Sequence, residues 1–330
     1  MRKVALGDSG LYTSVLGFGC SALMGRSGRR ESLGALAAAW DHGIRLFDTA
    51  RSYGDGDSER LLGEFLRGRR SETVIGTKFG ILPARRTTFN SVAKSIARPV
   101  LAAFPSARSF IRKSVPAGRF SGNQFSTTVL RKSIEESLRQ LGTDYVDLLF
   151  LHEAPASVFA QEDLLEAMHQ LVKAGKVRVA GLASAPDIVG LALAQGVEPL
   201  RAMEFPCNIF NLSTTVEIAR KARGQALMAN HPFGGGPRVR QCREMLRALA
   251  LDPRIDVALR EKLAPAEDEV LADVVFSAIL RNTGIHAVIP AMMHVQHVKA
   301  NVRATMNSRF TDAEVAEIRA HLAGCQQPLT

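Results

Sequence analysis

Eight short apolar, β-rich runs alternate with eight longer helix-like stretches along this chain, and that rhythm constrains the fold more than any other feature. The runs are Val15–Gly19, Arg45–Asp48, Thr73–Lys78, Val146–His152, Val177–Ala183, Ala202–Phe205, Ala226–Ala229 and Ala287–Pro290. Between and after them lie Glu31–His42, Ser58–Leu66, Thr127–Leu141, Gln161–Ala174, Ala185–Gln195, Val216–Ala222, Glu267–Arg281 and Val295–Asn301, each with apolar residues at helical spacing. Strand-then-helix repeated eight times predicts an α/β fold, a (β/α)8 TIM barrel of parallel strands with helices outside. The 330 residues suit one such barrel, and the whole chain, 1–330, reads as a single barrel domain.

Two decorations are expected on that frame. Arg2–Leu6 and Leu11–Ser14, split by Gly7-Asp8-Ser9-Gly10, predict an N-terminal β-hairpin able to plug one end of the barrel. At the other end of the chain, Thr311–Ala323 reads as a closing helix, with Thr311 as its cap and Glu314 three residues on. Long connections follow strand three and separate strands seven and eight, on the face where a barrel builds its active site.

Charge singles out the first of these connections. Between Phe79 and Ile134 there is no acidic residue, while Arg85, Arg86, Lys94, Arg98, Arg108, Arg112, Lys113, Arg119, Arg131 and Lys132 are basic. Ten positives equal the net charge of +10, so the rest of the chain is formally neutral. The segment 81–122 is read as a basic insertion on the active-site face, either a solvated excursion or a patch that favours an anionic or carrier-bound substrate. A basic amphipathic stretch lying on an anionic membrane surface is the rival reading.

Several classes fit poorly. No apolar run approaches the roughly 18 residues of a spanning helix, and Met1 to Gly10 lacks the apolar core of a signal peptide. Cys20, Cys207, Cys242 and Cys325 show no pair spacing, and the eight histidines are scattered, so neither a disulfide framework nor a metal site is expected. A cytoplasmic protein with no membrane span and no nucleic-acid partner is the reading. A doubly wound dinucleotide fold would need a Gly-rich first turn; Gly17-Phe18-Gly19-Cys20-Ser21-Ala22 comes nearest, without an acidic residue in the ribose position.

The strand ends carry the chemistry. Asp48 ends strand two, Tyr53 follows in the loop, Lys78 ends strand three and His152 ends strand four. Singly, each has an ordinary explanation: a helix cap, a lysine reaching solvent, a satisfied core histidine. Together, in successive units of a barrel, they make a proton-transfer set. A carbonyl that accepts a hydride needs a proton at its oxygen, which Tyr53 can give; Lys78 is expected to lower the phenol's pKa, Asp48 to hold Lys78, and His152 to donate a hydrogen bond to the substrate oxygen.

Those residues stand in stretches that resemble the aldo-keto reductase superfamily over essentially the whole chain. They are Leu16-Gly17-Phe18-Gly19, Gly43 to Ala50 with Tyr53-Gly54 and Ser58-Glu59, Thr77-Lys78, Asp144 to Leu148 with His152, Gly175 to Arg178, and Val288-Ile289-Pro290 with Asn301. The resemblance implies an NAD(P)-dependent oxidoreductase that interconverts a small-molecule aldehyde or ketone and its alcohol, with Tyr53 as general acid/base. It implies NADP as the cofactor, with NAD open, along Gly19, Ser184, Glu204, Asn230, Pro232, Pro290, Ala291, Met292, His297 and Asn301. Ala183 and Ser184 stand where the family places Ser-Asn, and Glu204 where it places glutamine. Two alternatives stay open at this point: a regulatory or binding member of the superfamily, and a barrel with non-redox chemistry.

Overall fold

The computed structural model describes residues 1–83, 124–264, 267–281 and 283–324. Most of the expected basic insertion, from residue 84 to 122, and the tail from Cys325 lie outside the described residues.

Eight parallel strands form the barrel: β3 (Gly17–Gly19), β4 (Leu46–Asp48), β5 (Val74–Phe79), β6 (Val146–His152), β7 (Val177–Ala183), β8 (Leu200–Pro206), β9 (Ala226–Asn230) and β10 (Ala287–Ile289). They neighbour one another in chain order, and parallel bridges Leu16–Val288 and Gly19–Ala291 bring β10 against β3 to close the ring. β5 and β6 are buried along their full length, as parallel strands covered on both faces must be, which is why the sequence shows continuous rather than alternating apolar runs there.

The helices follow the expected order. They are α1 (Arg29–Asp41), α2 (Ser58–Leu66), α3 (Thr127–Leu141), α4 (Glu162–Lys173), α5 (Pro186–Gln195), α6 (Leu212–Lys221), α7 (Gly236–Leu251), α8 (Val257–Leu263), α9 (Glu267–Leu280), α10 (Val295–Met306) and α11 (Asp312–Gly324). Two of them correct the sequence reading, because the stretch between strands seven and eight is not a bare connection: it folds into α7 and α8. The signal was present at the 3, 4, 7 spacing of Cys242, Met245, Leu246 and Leu249, and in Pro237 at the helix start. It was masked by four arginines in the same stretch, of which Arg240 and Arg247 are exposed and Arg238 and Arg243 half-buried.

The hairpin forms as expected, with β1 (Lys3–Ala5) paired antiparallel to β2 (Tyr12–Ser14). Its turn brings Leu6 and Leu11 into one buried cluster with Leu46, Val74, Leu148, Val179, Ala202, Ala226 and Ala287. These are residues near the strand beginnings, so the hairpin stoppers that end of the barrel. Gly7 (φ +53°) passes so close to the chain that a Cβ there would lie 2.3 Å from the Gly224 carbonyl oxygen, a position only glycine fills without strain.

The same cluster fixes which way the strand ends point. Side chains two apart on a strand share a face. Leu46, Val74, Leu148 with Phe150, Ala202, and Ala226 with Met228 all face the barrel interior. In phase with them, and farther along, come Asp48, Lys78, His152, Glu204 and Asn230. The barrel therefore has an apolar floor and a polar mouth.

Phe150 fills the middle layer, where Gly76 and Gly181 make room for it: a Cβ at Gly181 would meet its ring at 2.7 Å and one at Gly76 at 3.3 Å. Phe150→Ala is expected to destabilise the protein by about 3–5 kcal/mol, read as a lowered urea midpoint at unchanged m, because flanking glycines cannot collapse into the void.

Candidate active site

At the mouth, the Lys78 ammonium is buried, with only 1% of its side chain exposed. It contacts Asp48 Oδ1, donates to the Thr49 carbonyl at 3.2 Å and lies 3.6 Å from Glu204 Oε1. The Tyr53 ring centre is 5.2 Å from Lys78 Nζ, and the His152 ring meets the Tyr53 ring edge-on at 5.9 Å. The structure thus brings all four expected catalytic residues to one place and adds Glu204 to them.

Tyr53 is positioned by a tight turn after β4. Its N–H donates to the Ala50 carbonyl at 3.1 Å, and Gly54, at φ +60°, packs against Leu23, where a Cβ would lie 2.4 Å from the carbonyl oxygen. The Ser58-Glu59 pair ties α2 to the site. Glu59, 1% exposed, accepts from Thr77 Oγ1 at 2.7 Å and pairs with Arg51 at 3.0 Å, so the residue beside Lys78 is clamped. Ser58 Oγ donates to the Cys20 carbonyl at 3.1 Å, anchoring the same helix to the chain after β3.

Electrostatics follow from burial. Desolvation alone would lower the pKa of Lys78, but Asp48 and Glu204 outweigh it and raise the ammonium above the ordinary lysine range, so it stays charged. Burial and the nearby Glu204 push Asp48 up, against the pull of Lys78. Burial, then Lys78, pushes His152 down to about 3, which makes it a neutral imidazole. Tyr53 corrects the sequence expectation: Lys78 does pull its phenol down, but desolvation pushes harder, aided by Asp48 and Glu204, and the net direction is up. Tyr53 is a neutral phenol here.

The residues expected along a cofactor fall into distinct settings. Asn230 donates from Nδ2 to Glu204 Oε1 at 2.8 Å, and Glu204 Oε2, buried, has no hydrogen-bond partner among the described residues. An orphaned acceptor at the mouth suits the amide N–H of a nicotinamide. Ser184 Oγ is committed to the Ala154 carbonyl at 3.0 Å. Gly19 donates its N–H to the Pro290 carbonyl at 3.0 Å. Pro232 and Pro290 are buried, and Asn301 is buried with its carbonyl accepting from Thr305 Oγ1 at 2.7 Å. Met292 packs wholly inside the hydrophobic core, whereas Ala291 and His297 are exposed.

Sequence reasoning missed the backbone at two strand ends. Glu153 (φ +53°) follows His152 and His231 (φ +48°) follows Asn230, left-handed conformations that side-chain-bearing residues seldom adopt. Among the described residues, no group of three or more histidines, cysteines or acids is placed to hold a metal.

The Aldo/keto reductase family matches residues 15–323. Among curated relatives, aldo-keto reductase YhdN of Bacillus subtilis is 27% identical over 216 residues, covering 64% of this chain and 55% of its own length. L-galactose dehydrogenase of Arabidopsis thaliana is 26% identical over 337 residues, covering 96% of this chain and 93% of its own. An aldo-keto reductase of Glycine max is matched over 60% of its length, so the chain spans less than two thirds of some relatives it matches. Among solved structures, aldo-keto reductase AKR11C1 of Bacillus halodurans, in its holo form, superposes with a TM-score of 0.69 at 22% identity, over 97% of this chain and 96% of that one; that likeness shows the fold.

Lys78→Met leaves Asp48 and Glu204 buried without their counter-ion, and a loss of roughly 3–5 kcal/mol is expected at neutral pH. The stranded carboxyls then titrate higher in the folded than in the unfolded chain, so folding takes up protons. The loss accordingly shrinks as pH falls toward the unfolded carboxylate value of about 4. Urea unfolding of the variant and the wild type at two pH values, near 5 and near 8, reads it directly; an equal deficit at both would show that the carboxyls are not the cause.

Proposed function

The chain belongs to the aldo/keto reductase family, and from that premise we propose that it is an oxidoreductase interconverting a small aldehyde or ketone and its alcohol. The observation that carries the reading is the buried Lys78 ammonium between Asp48 and Glu204, with a neutral phenol and a neutral imidazole beside it at the barrel mouth. A nicotinamide dinucleotide, NADP with NAD as the alternative, supplies the hydride when bound. Glu204 and Asn230 would face its ring, and the orphaned Glu204 Oε2 supports that placement.

The chain's own residues manage the proton. As a hydride reaches the carbonyl carbon, negative charge grows on the oxygen. An alkoxide is a far stronger base than a phenolate, so Tyr53 gives up its proton to that oxygen even with its pKa raised, and Lys78 steadies the charge left on the phenolic oxygen. His152, neutral, has one N–H for the same oxygen and orients the carbonyl; Asp48 holds Lys78 in place. The whole chain, 1–330, acts in this reading as one barrel unit, and the basic insertion 81–122 favours an anionic substrate. Buried free thiols at Cys20, Cys207 and Cys242 support a reducing, cytoplasmic setting, and no helix among the described residues is long and apolar enough to cross a membrane.

Purified protein with NADPH or NADH and a panel of aldehydes should consume the reduced nicotinamide, and Tyr53→Phe should slow turnover by about 10²–10⁴ while leaving cofactor binding intact. A Tyr53→Phe rate within about tenfold of the wild type would remove Tyr53 from the chemistry.

The pH profile tests the same assignment. Reduction needs Tyr53 protonated, which holds below its raised pKa, and His152 neutral, which holds above about 3. The kcat/KM for reduction should therefore be level from about pH 5 to pH 9 and fall only in the alkaline range. A limb near the ordinary histidine value of about 6.5 would show that His152 titrates in the working enzyme.

A further inference from the structure

The mouth holds two carboxylates and one ammonium. Asp48 is in direct contact with Lys78 Nζ, and Glu204 stands 3.6 Å from it, so the cluster holds one carboxyl more than it holds cations. The other titratable groups around the cluster supply no second cation. Burial holds Tyr53 as a phenol, His152 as an uncharged imidazole and Cys20 as a thiol. Asn230, the remaining polar neighbour, is neutral and donates to Glu204 Oε1 at 2.8 Å. Glu204 is 1% exposed, and its second oxygen has no hydrogen-bond partner among the described residues. The surplus carboxyl is therefore buried and only half satisfied, and the crowding shows at Asp48, whose pKa burial and Glu204 push up.

We propose that Glu204, the buried carboxyl that Lys78 leaves without a cation of its own, makes the site bind the oxidised, cationic form of a nicotinamide cofactor more tightly than the neutral reduced form, and so makes the bound reduced cofactor a stronger hydride donor. The inference rests on the functional reading above. Hydride transfer requires the ring's reacting carbon within about 3–3.5 Å of the substrate carbon, whose oxygen lies at Tyr53 and His152. Any ring so placed is within reach of the Lys78 cluster, in a mouth where water does not screen charge and a unit charge at such range is felt strongly. Only the oxidised ring carries a formal positive charge, so Glu204 discriminates between the two forms of a cofactor that is otherwise the same. In the favoured direction the hydride leaves the ring with its electron pair for the carbonyl carbon and Tyr53 gives its proton to the oxygen, giving an alcohol and the oxidised cofactor, and solvent returns the proton to the phenol.

The test is calorimetric titration of the full-length protein with NADP⁺ and with NADPH at one ionic strength, alongside Glu204→Gln and Glu204→Asp. Glutamine keeps the shape and the Asn230 contact but removes the charge; aspartate keeps the charge. The wild type is expected to bind NADP⁺ at least about tenfold more tightly than NADPH, Glu204→Gln to shift that ratio by at least about tenfold toward NADPH, and Glu204→Asp to stay near the wild type. A purely structural glutamate would change both affinities together and leave their ratio alone. An unchanged ratio in Glu204→Gln, or a wild type that prefers NADPH, overturns the proposal; the wild-type ratio decides alone if Glu204→Gln does not fold. Binding of neither form by the wild type overturns the functional reading and this inference with it, whereas binding with no preference for the oxidised form sinks the inference and leaves that reading standing.

Discussion

A lysine ammonium sealed inside a protein is tolerated only where negative charge meets it, and Lys78 makes that demand at the mouth of this barrel. Its partners come from different strands: Asp48 from the adjoining β4 and Glu204 from β8, three strands farther round the ring. The contact with both exists only if the sheet closes, since an open sheet would carry β8 away from β5. Closure in turn depends on the backbone join between Gly19 and Pro290 and on an interior narrow enough that Phe150 needs glycines on both neighbouring strands. The charged mouth, the packed middle and the Leu6–Leu11 stopper are one stack, each layer setting the diameter that the next one requires.

Precision at the mouth is supplied from outside it. Glu59 reaches from α2 to Thr77 and Arg51, holding the chain on either side of Lys78 and Asp48 without touching the ammonium itself. The left-handed residues Glu153 and His231 lie immediately past His152 and Asn230, and conformations of that kind cost on the order of 1–3 kcal/mol each. A barrel with a large apolar interior can carry such strain. Its location, directly after two inward-facing polar groups, turns the chain away from the mouth in one residue and leaves those side chains fixed over the opening.

Much of this was legible in the residue pattern because a barrel strand has period two. Once Leu46, Val74 and Leu148 are assigned inward, Asp48, Lys78 and His152 must point the same way, and each is a polar residue interrupting an apolar run. Tyr53 was identifiable by its nearness to Asp48, but the direction of its pKa was not. The sequence tells which charges are nearby and not how dry the phenol is, and here desolvation outweighs the lysine. Helices α7 and α8 were hidden for a related reason: four arginines interleaved with it obscured a short apolar spacing that only the burial of Cys242 and Leu246 makes plain. Of the expected cofactor residues, those after β10 were the least legible. Met292 belongs to the core while its neighbour Ala291 is exposed, a difference of facing that no composition argument resolves at the end of a short strand.

Glu204 raises a question that stability does not answer. Asp48 alone would neutralise Lys78, and a glutamine would receive the Asn230 hydrogen bond equally well while leaving no carboxylate oxygen stranded. A second buried carboxylate weakens the fold twice over, through its own desolvation and through the repulsion that pushes Asp48 up. It also raises Tyr53 further, against the direction that would make the phenol a readier acid. Groups held at such cost in a cleft, with their neighbours' pKa values displaced, are characteristic of working sites rather than of scaffolding. Whatever charge the bound state brings to the mouth therefore settles the balance. A cation beside Glu204 would offset the repulsion that raises Asp48 and Tyr53 together.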